Sequence, residues 1–335
     1  MKKQYFAIDI AKYVSSLLVI CIHTFPFQEI APDLNLVIVQ ILARIAVPFY
    51  CCCSSYFLFK KIRSSDTKQE ELGIMKRYSF RILKLYLIWT ILYLPIIYIN
   101  ALNSDNLFNS VYFIKNLFLN GSVYHLWFLP ALLMGTWIVY LIFKKVRMPV
   151  TMLITFLLYV IGMLSNMYSP VLEQVPFLHS INLVIIQIFD TTRNGIFFVS
   201  IYIVIGAILA YTPRFRTSFI RVGLVISSVL LCAEVYTLQY QHLLTDLSSM
   251  YLSLIPLTFF LFAFLLQTKS QLSDTRVLRS MSTLIYCGHV WIIAALTHVV
   301  QANLIVSMGT ILLSTILSFL IVKGSYRVSI LENLY

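Results

Sequence analysis

The chain has 335 residues, of which 60% are hydrophobic and 11% charged. Soluble domains carry roughly 25% charged residues, so the composition excludes a water-soluble globular protein and points to a polytopic membrane protein. The net charge of +12 would suit nucleic acid, but the basic residues are dealt out between apolar runs, which argues against that partner.

The first apolar run, Ile8–Phe25, contains Asp9, Lys12 and His23. The step from Lys12 to His23 is about three helical turns plus ~20°, so both side chains leave one face. They stand ~16 Å apart along the axis, roughly half the hydrocarbon thickness. Asp9 shares that face and can pair with Lys12. Ionisable groups within a membrane helix are costly and usually face a protein interior or a water-filled path. The bland alternative is that Lys12 snorkels to one interface and His23 sits near the other.

Nine further runs follow: Leu36–Phe59, Ile82–Ile99, Tyr124–Phe143, Met148–Asn166, Gly195–Tyr211, Val222–Leu238, Tyr251–Gln267, Thr283–Val300 and Leu304–Val322. Each is near the ~20 residues that a crossing helix needs. The first run reads as retained and not as a cleaved signal peptide. With the N-terminus inside, every Lys and Arg except Lys12, Arg44, Lys115 and Arg193 falls in a cytoplasmic segment, from Lys2 and Lys3 through Arg214 and Lys269 to Arg327. That bias predicts both termini in the cytoplasm. The fold class expected is all-α, a bundle of about ten transmembrane helices forming one domain over residues 1–335.

The segments Asn100–Val123 and Met167–Asn194 are too short to fold alone and are expected to cap the bundle on its outer side. Phe108, Tyr112, Phe113, Leu117 and Phe118 are spaced like an amphipathic interfacial helix. No internal repeat is visible, which counts against a transporter built on inverted repeats. The six cysteines lack zinc spacing and read as small apolar packing residues; no metal site is expected.

Arg44 lies ~12 Å into the second run if helical, and Glu234 is the lone acid of the seventh. A buried Arg and a buried Glu are each costly alone, so a structural ion pair between them is one reading and substrate binding the other. His289 alone reads as a hydrogen-bonded core histidine. On the outer rim, His125 and Trp127 open the fourth run, Asp190, Arg193 and Asn194 lead into the sixth, and Asp246, Ser248 and Ser249 precede the eighth. Asp190 and Arg193 can pair locally. Trp127 is either an interface anchor or part of a polar cluster facing the end where His23 emerges.

Asp9-Ile10-Ala11-Lys12 followed by His23 resembles the D-x-x-R/K and R/K-x10-H pattern of the acyltransferase 3 superfamily. Lys76-Arg77-Tyr78-Ser79-Phe80-Arg81-Ile82 is similar to its basic third-helix motif. His125-Leu126-Trp127-Phe128-Leu129 and the stretch from Ser282 through Tyr286 to His289 also fit. Within that superfamily, Arg44 to Phe49, Asp190 to Phe198 and Ser249 to Leu252 resemble the membrane domain of vancomycin-resistance serine racemases of the VanT type. Lys12 replaces the commoner Arg, Lys84 stands where Pro is frequent, and the racemase domain of that type is not in this sequence.

The resemblance implies a multi-pass protein of the bacterial cytoplasmic membrane. It implies transfer of an acyl group such as acetyl from cytoplasmic acyl-CoA, a co-substrate and not a bound cofactor, to an extracytoplasmic hydroxyl of a cell-wall or small acceptor such as serine. His23 would be the base, with Asp9 and Lys12 beside it. Lys12, Arg44 and His289 are candidate donors to the developing oxyanion, and Lys76, Arg77, Arg81 and Lys84 suit the donor phosphates. The alternative is an L-serine binding or transport domain supplying a serine racemase in vancomycin resistance. There Lys12, Arg44 or Arg193 would hold the carboxylate, and Glu234 or Asp190 the ammonium. A homo-oligomer is compatible with either.

Overall fold

The computed structural model describes residues 5–102, 110–212, 215–245, 248–268 and 275–335. Lys2, Lys3, Phe108, Arg214, Asp246 and Lys269, and the side chains of Tyr112 and Phe113, lie outside them. The described residues are helical with no strand. They form α1 (Phe6–Thr24), α2 (Pro32–Arg63), α3 (Lys68–Leu92), α4 (Leu94–Leu102), α5 (Ser110–Leu119), α6 (Phe128–Lys145) and α7 (Met148–Asn166). After these come α8 (Ser169–Leu172), α9 (Pro176–Phe189), α10 (Gly195–Tyr211), α11 (Thr217–Tyr240), α12 (Leu254–Gln267), α13 (Arg276–Thr297) and α14 (Asn303–Ser325), with a terminal 3-10 turn at Ser329–Leu334.

Seven of these, α1, α2, α6, α7, α11, α13 and α14, are long and apolar enough to cross a membrane. The protein is a multi-pass membrane protein. Each apolar run of the sequence is largely helical, but the run Ile82–Ile99 is divided at Tyr93 between α3 and α4, α12 is shorter than its run, and α3 begins fourteen residues before its run, in charged sequence. The added helix α9 falls in the segment expected to cap the outer side.

Local chemistry sets several boundaries. Thr67 accepts the amide of Glu70, whose carboxylate accepts the amide of Asp66, a reciprocal cap at the start of α3. Prolines open α2, α7 and α9, where a missing N–H costs nothing. Two helices are wound irregularly. α2 passes through a π turn at Val37–Leu42 and a 3-10 turn at Ala43–Ile45, and α10 opens with a π turn at Gly195–Val199. Such turns re-aim side chains and recur at functional sites. Here they carry Arg44 and follow Asn194.

The chain forms two compact units, Met1–Tyr50 with Leu261–Tyr335, and Cys51–Phe260. In the first, α13 packs against both α1 and α14. The inward face of α14 is Ser307, Thr310, Ser314, Ser318 and Val322, all buried, which lets the helices approach closely. In the second unit, α10 packs on α6 and α7. Gly135 and Gly195 make that approach possible: a Cβ on Gly195 would lie 2.6 Å from the Ala131 carbonyl oxygen. Cys51, Cys52 and Cys53 are fully buried free thiols.

Candidate active site

The first unit brings together the side chains of α1 and α13. The rings of His23 and His289 are stacked, with centroids 5.4 Å apart and planes inclined by 24°. His289 is fully buried, and its Nδ1 lies 3.0 Å from the Ile285 carbonyl and 2.8 Å from that of Tyr286. Carbonyls only accept, so Nδ1 carries a proton. Tyr286 lies 6.4 Å from His289 and 6.3 Å from Tyr50, ring to ring. The Tyr50 hydroxyl donates to the Lys12 carbonyl at 2.5 Å. Four rings from three helices thus form one cluster along the α1 face named by the sequence.

His23 and Lys12 are both half-buried. Asp9 is buried and accepts the Thr275 hydroxyl at 2.5 Å. The start of α13 thus comes against α1 where the carboxylate accepts its hydroxyl. Arg44 is buried, and its Nε donates to Gln40 Oε1 at 3.0 Å, one turn back on the same helix.

The second unit holds the remaining candidates. Glu234 on α11 accepts the backbone amides of Leu252 and Ser253 at 2.8 and 2.9 Å and the Ser253 hydroxyl. It closes the turn entering α12, where unsatisfied amides favour an anion. Arg44 and Glu234 thus each have hydrogen-bond partners within their own unit. His125 is buried, its ring edge-on to Tyr93 at 5.0 Å and Tyr124 at 5.6 Å. Lys76, Arg77, Arg81 and Lys84 are exposed on α3.

Asp190 does not pair with Arg193. It takes Lys115 at 2.8 Å and the Asn120 amide at 3.1 Å, from the end of α5. Asn194 accepts the amides of Ile196 and Phe197 at 2.9 and 3.1 Å, capping α10. The Arg193 guanidinium carbon lies 5.9 Å from the Trp127 ring centroid, a cation–π arrangement. Burial lowers the pKa of Arg193 from its usual value.

The sequence reading missed Thr275, Tyr50 and Tyr286 as members of the first-unit cluster. Tyr286 falls within the quoted Ser282–His289 motif and could have been singled out there. Thr275 and Tyr50 carry no local signal.

A family model described as an acyltransferase domain matches residues 5–326. Among curated proteins the chain is 32% identical over 272 residues to an amino-acid racemase of Enterococcus faecalis, covering 80% of this chain and 37% of that protein. A second amino-acid racemase of Enterococcus faecalis is 28% identical over 324 residues, covering 96% and 45%. A serine/alanine racemase of Enterococcus gallinarum is 27% identical over 265 residues, covering 78% and 37%. The chain thus spans less than half the length of these relatives. No solved structure matches it.

Proposed function

The chain belongs to the acyltransferase 3 family, and from that membership we propose a membrane-embedded O-acyltransferase of the bacterial cytoplasmic membrane that works at His23. The neutral imidazole takes the proton of an acceptor hydroxyl as that oxygen attacks the thioester carbonyl of an acyl-CoA. The oxyanion collapses, the thiolate of coenzyme A leaves, and His23 returns the proton to it. His289 and Tyr286 form the wall against which His23 is set, and Lys12 supplies positive charge on the same helix. The exposed basic residues Lys76, Arg77, Arg81 and Lys84 suit the donor's phosphates.

The observation that carries this reading is the stacking of His23 on His289 in a chain that matches the family model. The test is release of coenzyme A from acetyl-CoA by protein in proteoliposomes supplied with a hydroxyl acceptor. His23→Ala removes the activity while the protein stays folded; full activity in that variant refutes the assignment.

A second reading is L-serine binding or transport, favoured by the relatives described as racemases. Uptake of radiolabelled serine into the same proteoliposomes, without thioester turnover, would replace the first reading with it.

A further inference from the structure

We infer that Arg193, lying on Trp127, is the receptor for the carboxylate of a small molecule at the rim formed by the 121–127 and 190–194 loops of the second unit. Asp190 is held by Lys115 and Asn120. The Thr191 hydroxyl accepts the Arg193 amide at 3.1 Å. The Thr192 hydroxyl donates to the Gly162 carbonyl at 2.8 Å. The Asn194 side chain accepts two amides and donates to the Thr191 carbonyl at 3.0 Å. Every other polar side chain from 190 to 194 is thus bound to protein. The guanidinium of Arg193 alone has neither an ion pair nor a hydrogen bond among the described residues, only the indole face.

A cation–π contact engages the face of a guanidinium and leaves the N–H donors in its plane. A charge taken partly out of water with those donors unspent is costly, and an anion relieves it. The loop is also anchored to α5 through Asp190 and to α7 through Thr192. Asp190 itself adopts a left-handed backbone, φ 59°, held by its bonds to α5. Gly121, φ 84°, lets the other loop close so tightly that a Cβ there would lie 2.4 Å from the Trp127 nitrogen.

The geometry selects a monocarboxylate. A guanidinium fork matches two coplanar oxygens, and with Lys115 spent on Asp190 the loop offers one positive charge, too little for a phosphate dianion. Arg193 and Trp127 are half-buried and not sealed, so a solute can reach them. The inference rests on the second, small-zwitterion-binding reading of the function and not on acyl transfer; its test uses no acyl donor, so its failure leaves the acyltransferase reading standing.

The experiment is phenylglyoxal labelling of the full chain in lipid nanodiscs, with the rate at Arg193 read by peptide mass spectrometry. L-lactate and L-lactamide, alike in size and differing in charge, are the competitors. Lactate is expected to slow labelling of Arg193 severalfold and lactamide to leave it unchanged. Equal protection by both, protection by neither, or no labelling at all overturns the inference. So does labelling that accelerates in Asp246→Asn, because the chain's own carboxylate would then be the occupant.

Discussion

The imidazoles of His23 and His289, 266 positions apart in sequence, face each other with centroids 5.4 Å apart. One of them is fixed: the Nδ1–H of His289 is shared between the carbonyls of Ile285 and Tyr286 on its own helix. His23 therefore has a rigid neighbour that limits its rotation, and the two residues should behave as one functional element.

Removing either ring should thus cost activity in a non-additive way. His23→Ala is expected to lower acyl transfer by about 10²–10⁴-fold, the range of a general base. His289→Ala is expected to lower it by up to ~10²-fold, through misplacement of His23. In the double variant the second change should add little, because the oriented group is already absent. Coenzyme A release by the four proteins decides; multiplicative losses would mean that the rings act separately.

Much of this architecture was legible because hydrophobic runs need no tertiary information. Each run drawn from the sequence is largely helical, although the break at Tyr93 has no apolar signal, and the His289 motif lies on a helix facing α1. The partners of the charged groups were harder. Charge alone offers Arg44 either a distant acid or a substrate, and the contact with Gln40, four residues back, is a spacing readable on any helix. Glu234 is satisfied chiefly by backbone amides, which have no sequence signature. The Lys115–Asp190 and Asp9–Thr275 contacts join distant segments whose meeting only the fold determines. The π turns at Val37–Leu42 and Gly195–Val199 arise where packing overrides regular winding.

Glu234 should prove a structural residue. Glu234→Ala leaves the amides of Leu252 and Ser253 without their acceptor and is expected to cost about 1–3 kcal/mol. Glu234→Gln retains one carbonyl oxygen and should lose less. Thermal unfolding of the purified variants in detergent measures both. Turnover per folded molecule should stay at the parent value; a selective loss of turnover at full stability would place Glu234 in the chemistry.

Asp9 depends on one hydroxyl from α13. Thr275→Val keeps the volume but deprives a buried carboxylate of its donor, at an expected cost of about 1–3 kcal/mol, whereas Thr275→Ser keeps the bond and most of the stability. Equal melting temperatures for the Val and Ser variants would show that the contact contributes nothing.

Two glycines should respond to alanine with opposite signs. At Gly206 on α10 an added Cβ would lie 1.9 Å from Ser55 Oγ and 2.3 Å from the Cys52 carbonyl oxygen, both on α2 within the second unit. The serine could rotate away, but the carbonyl belongs to a helix and cannot yield without moving it. Gly206→Ala should therefore destabilise by about 1–3 kcal/mol, and adding Ser55→Ala should recover only part of the loss. At Gly73 on α3 the nearest atom is Arg77 Nη1 at 3.5 Å, the free end of a flexible side chain. There the smaller backbone entropy lost by alanine operates unopposed, and Gly73→Ala should stabilise by up to ~1 kcal/mol. Thermal unfolding of the two variants beside the parent tests both; a neutral Gly206→Ala would mean that α2 and α10 are not in contact at that point.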